Sequence, residues 1–327
     1  MNKMPPAQLL WGMINANVLA RCVQVLAEYG VADALAERPL TAAELAAQTG
    51  MNADALRRML RLLVAHEVFA QEGEHYQHTP VSELLRTDHP DSMRSFARMM
   101  NLPIMMHSFA ELTQAAKTGR PTMDFAGFME YFAAHPEESG IFNQAMADKS
   151  RHIIPTVLNA YDFSPLRVIA DIGGGRGHLL RSILERTPAA SGILFDLPHV
   201  MHEVAAQESE RMQLQPGDFF ADALPAADAY VLMEVLHDWN DEDAARILAA
   251  VRQAAPAHAR LVIVEALVAE APGPDLSKVL DVIMLAITGG RERTPSEYEA
   301  LLAQAGFRLE RIIATPSQYS IVEAVVI

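Results

Sequence analysis

Val168-Ile169-Ala170-Asp171-Ile172-Gly173-Gly174-Gly175-Arg176-Gly177 decides the fold of this 327-residue chain. An apolar, β-branched run ends on an acidic residue, glycines follow at once, and residues 179–186 carry apolar side chains at helical spacing. Strand, glycine turn and helix in that order open a doubly wound α/β domain. The glycines there let backbone N–H groups approach a nucleotide-like ligand. The run departs from the dinucleotide fingerprint G-x-G-x-x-G, because the last glycine position falls on His178.

Outward from this stretch the alternation continues. Residues 167–170, 192–195, 229–232 and 260–264 read as short strands, with helices such as 179–186 and 242–254 between them, and a third, poorly marked strand precedes Gly217. Residues 307–314 and 319–327 form two closing strands around Pro316-Ser317. That terminal hairpin predicts one antiparallel strand in an otherwise parallel sheet, which a simple dinucleotide-binding domain lacks. The expected fold class is therefore α/β, a Rossmann-like doubly wound domain over residues 161–327.

Residues 1–90 read as helical with one small sheet. Residues 8–29 are apolar at helical spacing and end at Gly30; Thr41-Ala42-Ala43-Glu44 is a capping box for a helix stopping at Gly50; Asn52 caps the helix 53–66. Val68-Phe69-Ala70 and Tyr76-Gln77-His78 then read as a two-stranded wing around Gly73. Helix, helix, wing is the winged-helix pattern. Charge argues against nucleic acid or an anionic membrane as its partner, since the chain carries a net charge of −15, a pI near 5.2 and only one basic cluster, Arg57, Arg58 and Arg61. A packing or dimerisation module fits better, with Leu9, Leu10, Trp11, Met13, Ile14 and Val18 as interface. Residues 91–160 read as a helical connector. Residues 93–146 hold 8 of the 17 methionines and six of the 12 phenylalanines, which suits either ordinary core or an adaptable apolar pocket.

No signal peptide is expected, because Pro5, Pro6 and Gln8 come first and Asn15 and Asn17 interrupt the apolar run. No uninterrupted apolar run approaches the ~18 residues of a bilayer span. A single cysteine, Cys22, excludes an internal disulfide and suits a reducing cytoplasm.

Chemistry is expected at the carboxyl ends of the strands, where open α/β sheets bind ligands. Gly173 and Gly175 offer close backbone approach. Asp196, in Leu194-Phe195-Asp196-Leu197-Pro198, can accept from two ribose hydroxyls, or it can cap the next helix. In Gly217-Asp218-Phe219-Phe220, Asp218 can accept from an adenine amino group while Phe219 packs on the ring; a turn followed by core aromatics is the alternative. His237 lies in Val235-Leu236-His237-Asp238-Trp239, with Glu265 at a strand end and Glu292 in Gly289-Gly290-Arg291-Glu292-Arg293-Thr294. A phenol titrates near ~10 and imidazole near ~6.5, so unaided proton transfer costs roughly 5 kcal/mol. A carboxylate on the far ring nitrogen narrows that gap. This favours a general base over a structural histidine. No metal is called for.

Taken together, DIGGGRG, FDLP, GDFF, LHDW, the IVE strand end, DVIML…GGRERT and the run from Phe142 to Ser150 resemble the small-molecule O-methyltransferase family of caffeate, polyketide-tailoring and acetylserotonin type, over nearly the whole chain. The resemblance implies S-adenosylmethionine as cofactor, with S-adenosylhomocysteine as product. It implies His237 as proton acceptor between Glu265 and Glu292, cofactor contacts from Gly173, Gly175, Asp196, Asp218, Phe219 and Ser150, and a substrate pocket lined by Met146 and Met284. It also implies a homodimer whose N-terminal helices reach into the partner, and an aromatic acceptor. Two departures stand out. Many relatives have Lys or Arg where this chain has Met233-Glu234, and the loop between Met284 and Gly289 is shorter than in plant members. Alternatives are methylation at a heteroaromatic ring nitrogen, a non-catalytic winged-helix regulator and, weakest, a hydride-transfer enzyme.

Overall fold

A computed structural model describes residues Pro5–Ile327. The chain divides into two compact units, residues 1–107 with 131–149 and residues 108–130 with 150–327. The stretch 91–160 thus contributes to both.

In the first unit, the expected 8–29 helix is two helices, Pro6–Ile14 and Ala16–Glu28. The break falls at Asn15, whose side-chain amide donates to the Trp11 carbonyl at 2.9 Å. Asparagine's short amide competes with the backbone ladder for carbonyls, which is why it interrupts helices. Pro6–Glu28 is the one segment among the described residues with the length and mean hydropathy (1.3) of a membrane-crossing helix. Asn15 and Asn17 interrupt it, so no uninterrupted apolar run of that length is present there. Its residues Leu9, Leu10, Trp11, Met13, Ile14 and Val18 are all exposed.

Thr41 caps Ala42–Thr49 in the expected capping box, with Gly50 in the left-handed region. Asn52 accepts from the N–H groups of Asp54 and Ala55 to open Ala53–Ala65. The wing is β2 (Phe69–Glu72) antiparallel to β3 (His75–His78), and β3 also pairs with the short β1 (Leu40–Thr41). Leu26, Leu45, Leu56, Leu60, Leu63 and Phe69 fill one core between these elements.

The second unit is built on a seven-stranded sheet of order β6-β5-β4-β7-β8-β10-β9. Its strands are β4 (Val168–Ile172), β5 (Ser191–Asp196), β6 (Met212–Pro216), β7 (Ala229–Met233), β8 (Arg260–Ala266), β9 (Phe307–Ala314) and β10 (Tyr319–Val326). β4 to β8 run parallel, and β10 is antiparallel to both β8 and β9. The terminal hairpin thus inserts the expected antiparallel strand. Strand order reverses at β4, with β5 on one side and β7 on the other, so a ligand crevice opens between the glycine turn after β4 and the turn after β7. Asp241–Ala254 and Pro295–Gln304 cover one sheet face around Tyr230, Leu232 and Ile263. His178–Arg186 and residues 153–157 of the helix Pro136–Ala160 cover the other, around Val231, Val262 and Val264.

Candidate active site

β4 delivers its chain directly into the glycine turn. Gly173, Gly175 and Gly177 have φ of 67°, 56° and 68°, a region open to glycine at no steric cost. A Cβ on Gly173 would stand 3.1 Å from Val235 Cγ2, and one on Gly174 would stand 2.5 Å from the Asp171 carboxyl, so the turn is pressed against its neighbours. Gly175 faces open space. Beside it Asp196, at the end of β5, accepts from the Gly175 N–H at 2.8 Å and from the Leu197 N–H at 2.7 Å, one bond on each carboxylate oxygen. Each oxygen keeps a second lone pair. Burial pushes the Asp196 carboxyl up, against those two N–H donors. Asp171 is buried beneath the turn and raised to about 7, by burial first and then by the charge of Asp196.

After β6, Asp218 accepts from the Phe220 N–H at 2.8 Å, an Asx turn that presents Phe219 half-buried toward Gly173. Phe219, Phe220 and Trp239 form an edge-to-face cluster with centroids 4.7–5.8 Å apart, and Phe125 lies 5.1 Å from Trp239. A glycine cradle, a carboxylate with free lone pairs and an aromatic shelf fit the amino-acid, ribose and adenine parts of an adenosyl amino acid.

The turn after β7 carries His237. Glu234 takes a positive φ of 56° and accepts from the Tyr319 hydroxyl at 2.7 Å. Leu236–Asp238 then forms one 3-10 turn. Glu265, fully buried in β8, receives the N–H groups of Val235, Leu236 and His237 on Oε1 at 3.1, 2.9 and 3.3 Å. Its Oε2 lies 3.5 Å from His237 Nδ1. Glu292 is the closer partner, with Oε1 2.9 Å from Nδ1. A carboxylate only accepts, so Nδ1 carries a proton, and in the neutral ring Nε2 is the acceptor. Burial opposes the imidazolium, but the charges of Glu265 and Asp238 and the hydrogen bond His237 donates to Glu292 outweigh it and raise His237 to about 10. Burial pushes Glu265 up to about 7, with His237 opposing and Glu292 adding to the rise. Three sequence-predicted residues are therefore brought together, and their donor atoms lie within 4.8 Å of one another.

Met284 is half-buried near the end of Leu276–Ile287, where its carbonyl accepts from the N–H groups of Thr288 and Gly289. Ser150 is half-buried on Pro136–Ala160, at the residue where the second unit resumes, and Met146, also half-buried on that helix, belongs to the first unit. Two functional elements escaped the sequence reading. Asp281 accepts from the Glu292 N–H at 3.1 Å, and Arg293 is wholly buried behind His237. Both lie inside motifs quoted above, but nothing in a sequence shows which way an arginine in a loop turns.

A parallel sheet with this switch-point crevice and an antiparallel closing strand is an architecture that binds nucleoside-type ligands at the carboxyl ends of its strands. Residues 109–308 match the O-methyltransferase domain and residues 11–88 the O-methyltransferase dimerisation domain. The chain belongs to the S-adenosylmethionine-dependent O-methyltransferase family, and it is an enzyme, which removes the regulator reading. It is 38% identical to a phenazine O-methyltransferase of Lysobacter antibioticus, over 98% of this chain and 96% of the relative. It is 35% identical to an 8-amino-8-demethylriboflavin N,N-dimethyltransferase of Streptomyces davaonensis, over 93% and 91%. An O-methyltransferase of neocarzinostatin biosynthesis, solved with S-adenosylmethionine and 2-hydroxy-5-methyl naphthoic acid, superposes with a TM-score of 0.79 at 33% identity, covering 94% of this chain and 96% of that one.

Proposed function

We propose that this enzyme methylates a hydroxyl of an aromatic or heteroaromatic secondary metabolite, with His237 as general base. The carrying observation is the 2.9 Å bond from His237 Nδ1 to Glu292, which fixes the tautomer and leaves Nε2 to receive a proton. The phenazine in one relative's name and the hydroxylated naphthoic acid bound to another support a fused, flat hydroxyarene as the acceptor class.

Bound S-adenosylmethionine supplies an electrophilic methyl group on a sulfonium centre. The glycine turn at Gly173 and Gly175, where backbone can come close, and the carboxylate of Asp196 would hold its amino-acid and ribose parts, with Asp218 and Phe219 on the adenine and Ser150 at the rim. Met284 lines the acceptor pocket. His237 Nε2 would take the acceptor's O–H proton as the oxygen displaces sulfur from the methyl carbon, and Glu265 and Glu292 would stabilise the resulting imidazolium. The products are the methyl ether and S-adenosylhomocysteine, and His237 later returns its proton to water. A homodimer through the N-terminal helices, in a reducing compartment, with neither nucleic acid nor membrane as partner, completes the reading.

Methylation at nitrogen is the second reading, favoured by the N,N-dimethylating relative. An amine at neutral pH already offers a lone pair, so it leaves His237 without a task. The test is label transfer from methyl-13C S-adenosylmethionine to a panel of hydroxy- and amino-substituted phenazines, naphthoic acids and benzoates. Label on oxygen, abolished in His237→Ala, is expected. Label on nitrogen alone, undiminished in His237→Ala, would replace the proposal with the second reading.

A further inference from the structure

We propose that Arg293 is a positioning residue that sets the orientation and the basicity of His237; this rests on the base role assigned to His237 above. Arg293 is 0% exposed, an unusual place for a side chain that stays charged. Its guanidinium donates from Nη1 to the Leu236 carbonyl, from Nη2 to the Trp239 carbonyl and from Nε to Asp241 Oδ1, each at 2.9 Å. Leu236 and Trp239 bracket the 3-10 turn that carries His237, so one planar fork spans that turn from both ends.

The neighbouring residues complete the clamp. The Arg291 N–H donates to the His237 carbonyl at 2.8 Å, and Glu292 between them holds Nδ1. Gly290 lies so close that a Cβ there would fall 1.9 Å from the His237 carbonyl oxygen. Residues 290–293 thus bind the turn, the carbonyl and the ring of one histidine. Arg293 also acts by charge. Two buried glutamates crowd His237, and the guanidinium favours the ionised state of Glu265, opposing the burial that pushes it toward neutrality. A lysine would keep the charge but has no planar fork to bridge two carbonyls.

The two roles separate in the full-length enzyme. Arg293→Lys should lower kcat about 100-fold, the scale of a roughly 1 Å misplacement of a reacting group, with cofactor affinity by calorimetry unchanged and the pH profile of kcat close to wild type. Arg293→Ala should lower kcat as far, move the acid limb of that profile to lower pH because Glu265 loses the cation that favours its charge, and recover part of its rate in millimolar guanidinium. Wild-type kcat and pH profile in both variants would overturn the proposal. So would a parallel fall of kcat, cofactor affinity and Tm with no guanidinium recovery, because the arginine would then only support the fold. His237→Ala distinguishes failure of the premise. A wild-type rate there would remove the base itself, whatever the Arg293 variants do.

Discussion

The surroundings of His237 hold it cationic. Raised to about 10, its imidazolium matches a phenol near ~10, so the transfer cost of roughly 5 kcal/mol for a free imidazole nearly disappears. The cost moves elsewhere, since at neutral pH only a small fraction of the enzyme carries neutral His237. The rate should therefore climb with pH from neutrality toward about 10. Glu292→Gln removes a negative charge that favours the imidazolium, so the sign is a fall in the His237 pKa. Its rise should sit at lower pH and level off at a lower rate, about 10- to 1000-fold down. A pH profile of kcat measured on both proteins checks this, and an unshifted limb in Glu292→Gln would contradict it. The same three groups have the donor types of a divalent cation site. Glu292 Oε1 is engaged with Nδ1 and Glu265 Oε1 with three backbone N–H groups, while Glu265 Oε2 and Glu292 Oε2 are buried without a hydrogen-bond partner. Activity should survive exhaustive dialysis against EDTA. Loss restored by one added divalent metal would instead make the cluster a metal site.

At the scale of elements, the catalytic turn is made by loops crossing at van der Waals contact. Gly290→Ala places a carbon 1.9 Å from a backbone oxygen, where no rotamer change gives relief. It should cost about 1–3 kcal/mol of stability, as overpacking does, and about 100-fold in kcat. Tm and single-turnover rate measure the two effects, and wild-type values of both would show that the crossing is not rigid. Much of this was legible in the sequence. Apolar alternation and glycine punctuation place β4, β5, β7 and β8 to within a few residues, because these strands are buried on both faces. β6 is blurred because its burial is partial and it lies at the sheet edge. Asn15 breaking the first helix was legible only as a polar interruption. The motif residues His237, Glu265 and Glu292 announced the site by type and by strand-end position. Which glutamate touches the ring was not legible, since it depends on a loop returning from 55 residues away. Arg293 and Asp281 were hidden for the same reason.

At the scale of the whole molecule, a matched dimerisation domain and an exposed apolar face coincide. Trp11 is 71% and Ile14 66% exposed, on a helix without one buried residue. Such a surface calls for a partner, and a second copy of the chain is the partner this domain implies. The double variant Trp11→Glu, Ile14→Glu should shift the mass measured by light scattering from two chains to one. A wild-type dimer with unchanged mass would place the interface elsewhere. Methyl transfer to oxygen through His237 is the central claim, and it is tested most directly by single-turnover rates across a series of acceptors of one shape and graded hydroxyl acidity. The wild-type rate should vary little along the series. His237→Ala should lose several orders of magnitude with the weakly acidic acceptors and recover with those already ionised at the assay pH. An equal loss along the whole series, or none, would contradict the base role and leave His237 a residue of the fold.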